Sequence, residues 1–114
     1  MKNHVSFQQI EKITLGDAGI MRDLLALFVK ENMLNIQRLQ TLLEAQNWPE
    51  LRKAAHKIKS SFALAGMEEH RSLAEKVEKT AGEDIALTKE NTQKIIGAMQ
   101  GAIAEIENKL QSLA

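Results

Sequence analysis

The chain has 114 residues, the usual length of one domain and enough for a single core. Fifteen Lys and Arg balance fifteen Asp and Glu, which argues against a nucleic-acid binder, and the absence of cysteine excludes a disulfide framework or a thiolate metal site. One proline, six glycines and no tyrosine leave a composition dominated by helix formers, with weak strand signals throughout.

A short first helix is predicted over about 7–13, ended by "TLGD", where Gly16 suits a helix exit and Asp17 the next N-cap. A long helix follows over 18–45, with an apolar stripe of Leu25, Val29, Ile36, Leu39 and Leu43. "NWPE" starts the third: Asn47 caps, Pro49 fits the first turn, and Glu50 takes the capping-box position. This helix runs to residue 65 and stops at Gly66, whose freedom to turn back sharply suits the exit. A fourth helix is predicted over 68–81. "GEDIALT" reads as a loop, with Thr88 capping a last helix that reaches about residue 113. Ile96, Met99, Ile103, Ile106, Leu110 and Leu113 recur there at spacings of three and four, a bundle seam. The predicted fold is all-α: an antiparallel up-down four-helix bundle with a short extra N-terminal helix. It forms a single domain over residues 1–114. Apolar runs fall well short of the ~20 residues a membrane span needs, and no signal peptide is visible at the N-terminus. The expected setting is cytoplasmic.

In the third helix Leu51, Ala55, Ile58, Phe62 and Ala65 share one face, which must be the core. His56 lies about 140° from the centre of that face and should point to solvent. Arg52, Lys59, Ser60 and Ala63 are its helical neighbours. Ser60 and Ala63 are short and leave space beside the imidazole. Arg52, Lys53, Lys57 and Lys59 form a cationic surrounding that favours an unprotonated ring. An ordinary exposed histidine on a basic surface is the plain alternative. Of the other histidines, His4 is expected in a disordered terminus and His70 as partly buried filler on the apolar side of the fourth helix. No two histidines lie at i,i+3 or i,i+4, so no helical metal site is expected.

The hairpin of the third and fourth helices supplies a partner for His56. Ten residues separate His56 from Gly66, and ten more separate Glu68 from Glu78, each about 15 Å of helix. Glu78 therefore returns to the level of His56, at the border of a stripe made by His70, Ala74, Val77 and Ala81. Its carboxylate is placed to accept from Nδ1–H and leave Nε2 as the nucleophile; the alternative is a solvated glutamate paired with Lys79. Lys59, three residues after His56, is within reach of an anionic group on that ring, or is simply a solvated lysine.

"AHKIKSSFALAGM" resembles the signature of histidine-containing phosphotransfer (HPt) domains, carried here by His56, Ile58, Lys59, Ser60 and Gly66. "ITLGDAGIMRDLLALFVKE", "AQNWPELRKAAHKIK" and "LAEKVE" resemble the family's other segments in the same order, so the likeness covers essentially the whole chain. Ser60 stands where the family commonly has glycine. Ala65 stands where a larger apolar residue is usual, and looser packing is expected near that turn. The resemblance implies that His56 accepts a phosphoryl group from a receiver-domain phospho-aspartate or a histidine kinase and passes it to a response-regulator aspartate. It also supports Glu78 as the residue that orients the ring. Arg52, Lys53, Ser60 and Ala63 would then meet the receiver. No cofactor is expected on this chain, since Mg²⁺ would sit in the receiver, and the carrier should act as a monomer without membrane or nucleic-acid partners. No glycine-rich nucleotide motif is present, so the chain would not make phosphohistidine from ATP. It could be free-standing or the terminal domain of a hybrid kinase. The competing reading is a non-catalytic helical adaptor.

Overall fold

The computed structural model describes residues 5–113, so His4 lies outside the described residues. Five helices follow in chain order: α1 (Gln8–Thr14), α2 (Ala18–Glu44), α3 (Trp48–Leu64), α4 (Glu68–Thr80) and α5 (Ile85–Ser112), with no strand among the described residues. From α2 onward each helix packs on its neighbour in sequence, and α5 closes the ring against α2. The Arg22 guanidinium seals that closure by donating to the Leu113 carbonyl at 3.2 Å.

The helices are unequal. α2 has 27 residues and α5 has 28, while α3 has 17 and α4 has 13. At 1.5 Å per residue α2 outruns α3 by about 15 Å. α1 and residues 5–7 fill the gap beyond the α3–α4 turn. Ile10 is buried in the core, Ser6 N–H donates to the Ala65 carbonyl at 2.8 Å, and Val5 N–H donates to the Glu105 carboxylate at 3.1 Å. Ala65 is fully buried beside this segment.

Most helix ends follow the sequence signals. Asp17 Oδ1 accepts from Ile20 N–H at 2.9 Å. The exit before it begins one residue earlier than expected, with Leu15 and Gly16 both left-handed at φ 53° and 73°. Asn47 Oδ1 accepts from Glu50 N–H at 3.4 Å, but the capping box stays half-made. Asn47 N–H donates to the Leu42 carbonyl at 3.0 Å, and the Glu50 carboxylate turns to Lys53 at 3.4 Å. Thr88 is not the cap of the last helix. Asp84 takes that place, accepting from Leu87 N–H at 3.0 Å, and its charge suits a helix N-terminus better. Thr88 instead lies inside α5, buried, with its hydroxyl 3.1 Å from that of Thr80.

The core lies where the periodicity puts it. The five apolar residues of the α3 face are fully buried. On α5, Ile96, Met99, Ile103 and Ile106 are buried, and Leu110 and Leu113 pack half-buried against them. On α2, Val29 and Leu43 are also only half-buried, while Met21, Phe28, Asn32 and Asn35 join Leu25, Ile36 and Leu39 in the interior. The two asparagines satisfy themselves. Asn32 Nδ2 donates to the Phe28 carbonyl at 3.0 Å, and Asn35 Nδ2 to Asn32 Oδ1 at 2.9 Å. His70 is more deeply buried than expected, only 3% exposed, with its ring 5.7 Å from that of Phe62. Burial lowers its pKa below 6.5, since the charged ring loses its hydration there.

Candidate functional site

With Leu51, Ala55, Ile58 and Phe62 held inward, helical geometry turns His56 outward, and its side chain is 68% exposed. The return of α4 depends on Gly66. Its φ of 68° is left-handed, and a Cβ there would come within 2.7 Å of Ser6 Cβ. Glycine thus permits both the turn and the close approach of the N-terminal segment.

α4 then runs antiparallel and brings Glu78 level with His56. Glu78 Oε2 lies 3.1 Å from His56 Nδ1, and Oε1 lies 2.8 Å from Lys59 Nζ. One carboxylate therefore bridges the two α3 side chains. Glu78 and Lys59 are mostly covered, 24% and 21% exposed, whereas the imidazole stands in solvent. Partial burial alone would raise the Glu78 pKa. The hydrogen bonds and charges of Lys59 and His56 outweigh it and hold the carboxyl below 4.5. An ionised carboxylate only accepts, so Nδ1 carries the proton. In a neutral ring Nε2 then keeps its lone pair, on the far side from Glu78.

The remaining expected residues are dispersed. Lys59 points its ammonium at Glu78 Oε1, 2.8 Å away. Arg52 lies one turn before His56, but its guanidinium turns away to the end of α4, where Nε donates to the Ala81 carbonyl at 3.0 Å and Nη2 donates to the same oxygen. Lys53 is exposed and paired with Glu50. Ser60 is exposed and lines a shallow groove with Leu24, Leu27 and Glu31 of α2. Ala63 is half-buried and opens on a different depression, lined by Ser6, Gln8 and Lys12.

An apolar row not expected from the sequence lies on the outside of α2. Ile20, Leu27 and Leu34 are each more than half exposed, and Leu27 borders the Ser60 groove. Their spacing of seven is visible in the sequence, but lies off the stripe assigned to the core. Among the described residues no group of three or more His, Asp or Glu side chains is arranged to hold a metal ion. No helix there is long and apolar enough to cross a membrane. Compared with known protein families, the chain matches the model of the Hpt domain over residues 23–113. No curated protein and no solved structure matches it.

Proposed function

The chain belongs to the Hpt domain family, and on that premise we propose that His56 is its phosphoacceptor. Hpt domains are phosphocarrier modules of two-component systems, with no ATP site of their own. The observation that carries the assignment is a histidine 68% exposed whose Nδ1 lies 3.1 Å from a carboxylate. In this reading the Nε2 lone pair attacks the phosphorus of a receiver's aspartyl phosphate. The bond from phosphorus to the aspartate oxygen breaks and the carboxylate leaves. The Nδ1 proton stays in place, and the positive charge gained by the ring is compensated by Glu78. Phosphoryl transfer asks the protein chiefly for positioning and charge compensation, and both are available here.

A receiver domain gives up its phosphoryl group to His56, or a histidine kinase donates it, and a response-regulator aspartate takes it away. Mg²⁺ belongs to the receiver's acidic pocket, and this chain contributes no cofactor. Ser60, Lys53 and the nearby apolar side chain of Leu27 meet the receiver. The carrier acts as a cytoplasmic monomer. The test mixes the chain with a receiver domain carrying labelled phospho-aspartate. The expected result is label on this chain that is lost in acid and kept in alkali. Label that survives acid would contradict a phosphohistidine.

A further inference from the structure

We infer that Arg52 is a positioning residue, which sets the His56–Glu78 contact by clamping the end of α4 onto α3. The inference rests on the reading of His56 as the phosphoacceptor. Arg52 is four residues before His56, and Ala81 is three residues after Glu78. The guanidinium of the exposed Arg52 donates twice to the carbonyl of the buried Ala81, with Nε at 3.0 Å. That carbonyl belongs to the residue closing α4, where the chain has left helical geometry at φ −60°, ψ 121°. Its oxygen has no partner within the helix to fix it, so the external double donor does. A fork on a single acceptor fixes sliding as well as distance between the two helices. Glu78 lies within one turn of the fixed point, and its own reach to His56 is set by the same register.

The turn beyond the clamp is built around it. Gly82 has φ 87°, and a Cβ there would lie 3.3 Å from Trp48 Cβ and 3.4 Å from Arg52 Nη2. The backbone therefore passes close over α3 at the arginine head. Lys53 lies one residue further on α3 and pairs within its own helix, with Glu50 at 3.4 Å.

Two roles for Arg52 give different readouts. A docking arginine would raise the KM for the phosphorylated receiver and leave the free protein's imidazole unchanged. A positioning arginine changes the free protein. The experiment records nitrogen NMR of the His56 imidazole in the parent, Arg52→Ala, Arg52→Lys and Gly82→Ala, beside single-turnover transfer at varied receiver concentration. Arg52→Ala is expected to reduce the Nδ1–H tautomer. It should lower the saturating transfer rate by roughly tenfold to a hundredfold, with KM unchanged, as displaced catalytic geometry does. Arg52→Lys keeps the charge but one donor point, and should fall between. Gly82→Ala removes no charge, yet should shift the tautomer in the same direction by pushing on Trp48 and Arg52. A raised KM with tautomer and saturating rate as in the parent would overturn the proposal. So would an unchanged tautomer in both Arg52→Ala and Gly82→Ala. If the parent takes no phosphoryl group at all, the reading of His56 fails instead, and the tautomer arms still decide whether Arg52 sets the contact.

Discussion

Glu78 divides its two oxygens between a histidine and a lysine, and that division decides what each neighbour does. Oε2 lies 3.1 Å from His56 Nδ1, and Oε1 lies 2.8 Å from the ammonium of Lys59. Glu78→Ala should leave the ring without its Nδ1 acceptor. The expected outcome is a mixed tautomer by nitrogen NMR and slower phosphorylation. Lys59→Ala separates two roles for the lysine. Losing the cation should raise the Glu78 pKa, since Lys59 lowers it now, and a carbon-13 titration of the carboxyl reads this directly. A shortened phosphohistidine lifetime with an unmoved Glu78 titration would make Lys59 a partner of the phosphoryl group alone. The sequence carried the His56–Glu78 contact because it depends only on helical rise and a turn at Gly66. It did not carry the direction of the Lys59 or Arg52 head groups. Both are long, flexible side chains whose position on a helical wheel leaves several partners within reach.

At the scale of the elements, the α3–α4 hairpin is the device that makes the site, and Gly66 is its most sensitive point. Gly66→Ala forces a left-handed alanine, which costs about 1–2 kcal/mol, and also drives Cβ into Ser6. A fall in denaturant midpoint of at least that energy is expected, together with loss of the Ser6–Ala65 hydrogen bond in amide exchange. Helix boundaries are legible in the sequence where one cap residue stands alone, as at Asp17 and Asn47. The start of α5 is less legible because "GEDIALT" holds two candidates. Thr88 has the right chemistry, but Asp84 comes first and leaves Thr88 free to enter the interior beside Thr80. Asp84→Ala should therefore destabilise by about 1 kcal/mol, the usual cost of losing an N-cap.

Over the whole molecule, two long helices and two short ones enclose one core, and the N-terminal segment closes the open end. The sequence predicted a short extra helix but not its purpose, since the length mismatch becomes a gap only when the four helices are assembled. The bundle also has a defined acid sensitivity. His70 has a lowered pKa when folded, so the unfolded chain binds its proton more readily; stability is full above about 6.5 and declines as pH falls through that value. Glu78 has a lowered carboxyl pKa, so its contribution is full above about 4.5 and is lost at lower pH. His70→Leu should remove the first decline and leave the second, as read by urea midpoints across this range. The central claim is narrower than the fold: one exposed nitrogen on α3 carries the phosphoryl group. It is tested most directly by offering a phosphorylated receiver to the parent and to His56→Gln and mapping acid-labile phosphate by mass spectrometry. The parent should carry one phosphoryl group, on His56, and the variant should be folded and unlabelled. Undiminished labelling of His56→Gln would contradict the account.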